Sequence, residues 1–498
     1  MNASLIIVEI LVALLGLGVL LADLWLPPDR RRMLGWVAAA GVAVVFFVGM
    51  KDAAEVAYAF GAPGSKTGMY VLDGLAVFFK QFFLLAALLV ILMTTEYASK
   101  LGSGVSEFYS LILFALLGML LAASANDLVL LFAALELVTI TFVVLNSFRR
   151  DQIASIEAGV KYLILGATAS AFMVFGMALM FGGAGTTNFN EIAAAQKALG
   201  TNPIFLAGLV MLLAGLSFKM ALVPFQAWAP DVYQGSPVPA TAFLAVGSKA
   251  AGVVLLLRLL FGAVPEIASR WQHVLGGIAA VTILYGSLCA IPQRSIKRLM
   301  GYSSIANAGY LLLGIVAMSK SGASGVLFYV SGYLFTVLAA FTVVSVILAR
   351  TDSDDLSSLH GLSQRSPVLA GALAVSMASL AGVPPMAGFV GKFLLLKPLV
   401  PLAASDPFLA CVLGVALVGV VVSLYYYFGI VRAAYWGHGT ADLTPIRTTW
   451  AVRAALVISV AGILWLGVLP DALIQASTPA VEVLRPQSPV VQQQAVRP

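Results

Sequence analysis

The sequence predicts an all-α polytopic membrane protein of about fourteen transmembrane helices, and three observations predict it. Of its 498 residues, 61% are hydrophobic and only 10% are charged. Apolar runs of about 20 residues recur from end to end, each long enough to cross a bilayer as a helix. The alternating segments of about ten residues that a membrane β-barrel requires are absent. No soluble domain fits between the runs.

In order, the spans cover roughly 4–26, 33–50, 71–95, 107–124, 127–147, 156–181, 204–226, 237–261, 271–291, 299–319, 323–349, 366–398, 407–433 and 452–473. The first starts without a basic region or a small-residue cleavage site, so it reads as a retained helix rather than a signal peptide. Gly16-Leu17-Gly18 inside it reads as helix packing, not as half of a nucleotide fingerprint. Residues 1–106 hold spans 1–3, residues 107–261 hold five spans, and residues 271–434 hold five more. Span 14 at 452–473 closes the set, and the tail at 479–498, rich in Pro and Gln, is expected to fray.

The loops give the orientation. Arg30, Arg31, Arg32, Lys100, Arg149, Arg150, Arg294, Lys297, Arg298, Arg350, Arg365, Arg432, Arg447 and Arg453 fall on one side, which is fourteen. Lys51, Lys66, Lys197, Arg270, Lys320, Arg485 and Arg497 fall on the other, which is seven. The richer side is expected to be cytoplasmic, with both termini outside. Compact loops and the lack of a transit peptide favour a bacterial inner membrane. The net charge of +6 is thereby explained, and the absence of a basic stripe argues against nucleic acid. Cys289 and Cys411 lie far apart and no CxxC occurs, so a zinc site or a cysteine-held cluster is unsupported. His273, His360 and His438 fall in or near loops, which argues against intramembrane haem.

Two spans look broken. In span 7, Lys219 is followed by Pro224, Trp228, Pro230, Pro237 and Pro239; in span 12, Gly382-Val383-Pro384-Pro385 precedes Gly388, Gly391 and Lys392. Proline removes a backbone donor, and in lipid the freed carbonyls need protein or water as partners. The breaks fall in the fourth member of each group of five. Because five is odd, the second group enters from the opposite side, which is the arithmetic of an inverted-topology repeat.

Charges inside apolar spans are the candidate functional residues. Glu136, Lys219, Lys249 and Lys392 lie well inside, where a charge costs at least ~2.5 kcal/mol. Burial disfavours the charged form and a nearby opposite charge favours it. A buried lysine whose carboxylate partner comes and goes therefore acts as a proton relay; the competing reading is a set of static pairs that specify helix packing. Lys161 joins the set, though Glu157 four residues earlier offers it a surface pair. Asp73 and Lys80 share a face of span 3 and read as packing or partner contacts, while Asn126 or Asp127 would cap span 5.

Several segments then resemble a known family. Val223-Pro224-Phe225-Gln226-Ala227-Trp228-Ala229-Pro230-Asp231-Val232-Tyr233-Gln234-Gly235-Ser236-Pro237 is similar to the segment after the broken seventh helix in the antiporter-like subunits of respiratory complex I, and to their N-type branch in particular. Lys297-Arg298-Leu299-Met300-Gly301-Tyr302-Ser303-Ser304-Ile305, Leu380 to Pro385, Gly388 to Phe393 and, more weakly, Tyr425-Tyr426-Tyr427 match as well. The likeness spans about residues 105–435. It implies a proton-translocating membrane subunit of NADH:quinone oxidoreductase, with Glu136 paired to Lys219, Lys249 as the central lysine, Lys392 as the outlet lysine and Lys161 as a sixth-helix lysine. It implies no cofactor in this chain, with flavin, iron–sulfur clusters and quinone in partner subunits. The partners are the lipid bilayer and other membrane subunits, sister antiporter-like chains among them. Gln226 and Asn307 stand where the family often has histidine, so the axis is expected to run on lysines and water. The competing functions are a multisubunit cation/proton antiporter or membrane hydrogenase subunit, and a structural subunit that does not pump.

Overall fold

A computed structural model describes residues 3–27, 30–50, 56–61, 67–102, 104–351, 353–437 and 444–484. Among them fourteen helices are long and apolar enough to cross a membrane: Ser4–Ala22, Arg31–Val48, Gly74–Lys100, Val105–Ala123, Leu128–Asn146, Ile153–Ala184, Pro203–Met220, Val238–Ala263, Trp271–Ala290, Ile296–Val316, Lys320–Leu348, Ala387–Ser405, Pro407–Trp436 and Trp450–Val468. These are spans 1–14 in the order above, and Pro367–Ala381 supplies the first half of span 12. The fourteen expected spans are therefore present, with both breaks where the prolines put them.

Side-chain caps start many of these helices. Asp73 accepts from the Ala76 amide at 2.8 Å and Asp127 from Val129 at 2.8 Å, so capping is what Asp127 does. Asn202 and Asp406 cap spans 7 and 13, each followed by a proline at the first helical position, where the missing N–H costs nothing. Ser295 and Ser319 cap spans 10 and 11.

Spans 8, 10 and 11 are almost wholly enclosed, whereas spans 1, 2, 6 and 13 expose most of their surface. Spans 8, 10 and 11 thus form an enclosed column within the fold. Close packing around that column uses small residues, as is usual between membrane helices. At the crossing of spans 6 and 7, a Cβ on Gly208 would meet the Gly176 carbonyl oxygen at 2.6 Å, and one on Gly176 would meet the Gly208 oxygen at 2.7 Å. Gly208→Val is expected to push the two helices apart at a cost of roughly 1–3 kcal/mol or more. Thermal denaturation of the purified complex would register it as a lower midpoint; an unchanged midpoint would mean that the crossing is loose.

Two features differ from expectation. A two-stranded antiparallel hairpin, Ala57–Ala59 with Tyr70–Leu72, precedes span 3. Its strands are three residues long, too short to read as alternating segments. The tail is also not frayed from 479. Helices Pro470–Ala476 and Thr478–Glu482 follow span 14, and Ala480, Val481 and Leu484 are buried, the second helix lying against span 3. The apolar spacing of these three residues outweighs the polar composition of the segment. Residues 485–498, with Arg485 and Arg497, lie outside the described residues, as do Lys51, Lys66 and His438.

Candidate functional site: a lysine and hydroxyl row through the core

Both helix breaks place an ammonium at the end of a half-helix. Span 7 stops at Met220, where Ala221 takes the left-handed conformation at φ +56°, and a short helix Trp228–Gly235 resumes the path. Lys219 sits in the last turn of the first half. Span 12 stops at Ala381, Gly382 takes φ +89°, and Ala387–Leu396 resumes. Lys392 belongs to the second half in sequence, yet its Nζ reaches back to the Leu380 carbonyl at 2.7 Å. A helix C-terminus carries partial negative charge and unpaired carbonyls, so the second break builds a seat for the Lys392 amine in an apolar surrounding. The carbonyl of Phe218, in the last turn before the break, accepts from Trp228 Nε1 at 3.0 Å as well as from the Ala221 amide at 3.0 Å. This is why the tryptophan follows the break.

Three of the predicted lysines are interior: Lys219, Lys249 and Lys392 are 4%, 4% and 5% exposed. Lys219 Nζ donates to Thr139 Oγ1 on span 5 and lies over the Tyr162 ring at 5.9 Å. Lys249 follows a π-helical segment, Leu244–Ser248, in span 8. Its Nζ donates to both the carbonyl and the hydroxyl of Ser304 on span 10, the latter at 2.5 Å.

Ser304 Oγ is a hub. Tyr233, from the resumed half of span 7, lies 2.7 Å away and Tyr333 of span 11 donates to it at 3.2 Å. Tyr333 stacks on Tyr329 with ring centroids 6.2 Å apart. The Tyr329 hydroxyl donates to Asn307 Oδ1 at 2.7 Å, and Asn307 Nδ2 donates to Tyr427 Oη at 3.3 Å. Tyr427 also meets Ser303. The row resumes at Tyr310, whose ring lies 5.2 Å from Lys392 Nζ. Polar groups thus run from span 8 through spans 10, 11 and 13 toward span 12.

The other two predicted residues sit differently. Glu136 is half-buried, and its Oε1 accepts from Ser170 at 2.6 Å rather than meeting Lys219; no ion pair within 4 Å joins them among the described residues. Glu136 and Thr139 are one turn apart on span 5, so the carboxylate stands beside the partner of Lys219, not on it. The two groups are therefore near each other without a direct hydrogen bond. Lys161 is off the row. Its side chain is 38% exposed and bonds Asp231 and Glu157, each at 2.6 Å. Arg298 takes the other Asp231 oxygen at 2.5 Å. The surface pair with Glu157 is present, and Asp231 extends it into a network tying spans 6 and 10 to the resumed half of span 7.

Sequence reading missed Glu9 and Arg258, two buried charges. Asp73 and Lys80, read as packing or partner contacts, each make a buried ion pair to another helix: Asp73 with Arg258 at 2.8 Å and Lys80 with Glu9 at 2.8 Å. The tyrosines went unassigned because an aromatic in an apolar span is ordinarily core. Their signal was the partner set on span 10, where Ser303, Ser304 and Asn307 occur in a helix with no exposed face. Asn307 and these hydroxyls therefore lie along the row beside the lysines.

Comparison with known proteins shows the family and the fold. The family model described as NADH:quinone oxidoreductase/Mrp antiporter, TM, matches residues 125–420. A protein of Moorella thermoacetica named NADH-quinone oxidoreductase subunit N is 41% identical over 475 residues, 95% of this chain and 97% of its own length. One of the same name from Rhodospirillum rubrum is 38% identical, covering 96% of each chain. Among solved structures, a chain of Thermus thermophilus respiratory complex I with bound aureothin superposes with TM-score 0.78 at 35% identity, over 94% of this chain and 98% of that one. A chain of the Mrp complex from Dietzia sp. superposes with TM-score 0.82 at 20% identity over 99% of each chain, a likeness of fold. The chain is a multi-pass membrane protein that belongs to the NADH:quinone oxidoreductase/Mrp antiporter family of membrane subunits, among the relatives named NADH-quinone oxidoreductase subunit N.

Proposed function

We propose that this chain is the proton-translocating N-type membrane subunit of an NADH:quinone oxidoreductase, moving protons along a row formed by Lys219, Lys249 and Lys392, with Glu136 biasing its first station. The observation that carries the reading is the Lys249–Ser304 contact at the centre of the fold, from which hydroxyl and amide groups lead toward Lys392. Lysine amines and hydroxyls both give and take protons, so the row is competent for relay. Electron transfer belongs to other subunits, where flavin, iron–sulfur clusters and quinone sit, and this chain holds no redox centre. Its partners are sister antiporter-like subunits in a bacterial inner membrane, with both termini on the outer side as the loop charges indicate. The two groups of five helices are inverted repeats, each break supplying a half-helix terminus for one lysine. Lys161, in its exposed network with Asp231 and Arg298, holds the two groups together on the inner face. Identities of about 40% to the subunit N relatives, against 20% to the Mrp chain, favour this over a cation antiporter.

The relation of Glu136 to Lys219 tests the reading. Glu136→Gln is expected to slow proton translocation in vesicles carrying the assembled complex, and Glu136→Asp to slow it less. A double-mutant cycle with Lys219→Ala should give a coupling above about 0.5 kcal/mol; additivity within that limit would make the two groups independent.

A further inference from the structure

A second set of buried charges lies outside the row, toward the face of the molecule that carries residues 5 and 484. Glu9 on span 1 and Lys80 on span 3 pair at 2.8 Å and are 4% and 3% exposed. The Tyr70 hydroxyl closes a triangle, donating to Glu9 Oε1 at 3.0 Å and accepting from Lys80 at 2.5 Å. The other carboxylate oxygen, Glu9 Oε2, is buried without a hydrogen-bond partner. Seven residues before Lys80, about 10 Å along the same helix face, Asp73 takes both terminal nitrogens of Arg258, at 2.8 and 3.0 Å. The Arg258 Nε donates to the Ala123 carbonyl at 2.7 Å. Arg258 is on span 8, the helix that carries Lys249, and span 3 packs against that helix.

Asp73 and Arg258 line a cavity of about 500 Å³ together with Asn126, Asn190, Gly262 and Glu482. Charges in a membrane interior are expensive and ordinarily face water or a partner. Here four of them are retained; Asp73 and Arg258 line the cavity, and Lys80 and Glu9, with its unsatisfied carboxylate oxygen, lie behind them. Spans 1 and 3 bring three of the four groups, although neither belongs to the two groups of five helices.

We propose that Glu9, Tyr70, Lys80 and Asp73 form a second proton station, with the cavity as an aqueous vestibule through which protons reach the face bearing residues 5 and 484. The Lys80 ammonium breaks an N–H bond as the Glu9 carboxylate forms an O–H bond. That O–H bond breaks in turn as water carries the proton to the Asp73 carboxylate and out through the vestibule, and Lys80 regains its N–H from protonated water arriving from the row, so each group returns to the state in which it began. Arg258 positions Asp73 and keeps the local charge balanced. The inference rests on the relay reading above.

Gly262 allows a test that spares the fold. It lines the cavity, and a Cβ there would meet nothing within 4 Å. Gly262→Phe should fill the vestibule and slow proton release from vesicles at least about twofold, without loss of assembled complex. Gly18→Phe, at an equally open position on peripheral span 1, is the control and should leave release unchanged. The double variant Glu9→Gln/Lys80→Met is the second arm. Replacing a buried ion pair by neutral groups often leaves stability intact. A packing role is therefore satisfied by the neutral pair, and a proton-carrying role is not. Slowed release in either arm with normal assembly supports the station. Normal release in both, while Lys219→Ala in parallel vesicles still stops translocation, overturns it and leaves the relay standing. Normal release in all three removes the relay reading itself.

Discussion

Lys219→Ala abolishes most proton translocation while the complex still assembles: a loss of about tenfold or more is expected in vesicles driven by NADH, with coupled quinone reduction falling in step. The reason is positional. The amine sits at the end of a half-helix, bonded to Thr139 and over Tyr162, with Glu136 one turn from its partner. Alanine removes the amine at that break and leaves the Phe218 carbonyl still held by Trp228. The backbone of the break therefore survives, and the defect is one of proton carriage. Normal acidification by a normally assembled variant would leave the row without its first station.

Lys392 separates a carrier from a fixed charge. Its Nζ is held by the Leu380 carbonyl, at the terminus of the first half of span 12, with Tyr310 below. Lys392→Met keeps the apolar stem and is cheaper in lipid, so the fold persists while transfer at that end stops. Lys392→Arg keeps the positive charge but does not readily release a proton. Both variants are expected to assemble and both to pump poorly, again by about tenfold. Full pumping by the arginine variant together with failure of the methionine variant would assign Lys392 the part of a stationary counter-charge.

What could be read from the chain alone follows from which forces are local. Span number, the two breaks and the lysines depend on hydrophobic run length and on proline, both visible without a third dimension. The half-helix seat of Lys392 was not visible. In sequence the lysine follows its break by seven residues beyond Pro385, and only the fold shows the amine returning to Leu380. The Glu136–Lys219 pair was implied by the family resemblance, but in the fold each group bonds a hydroxyl, Ser170 and Thr139, and hydroxyls leave no charge signature to read. Arg258 was overlooked because it lies near the end of an apolar span, where a long basic side chain ordinarily snorkels. Its partner Asp73 is 185 positions away.

Ser304 imposes a direction on the row. A serine hydroxyl has one proton to give and two lone pairs to fill. When Lys249 is an ammonium, it and Tyr333 occupy both lone pairs, so the single Ser304 proton points to Tyr233. When Lys249 has given up its proton, its nitrogen offers a lone pair. The Ser304 proton can then swing toward it, and Tyr233 must reverse its own O–H. The charge on one lysine thus sets the polarity of the neighbouring dipoles, and a transfer leaves them facing the wrong way for the next. In the relay proposed above, these hydroxyls have to be reset between protons, and the reset requires nothing larger than the rotation of hydroxyl groups.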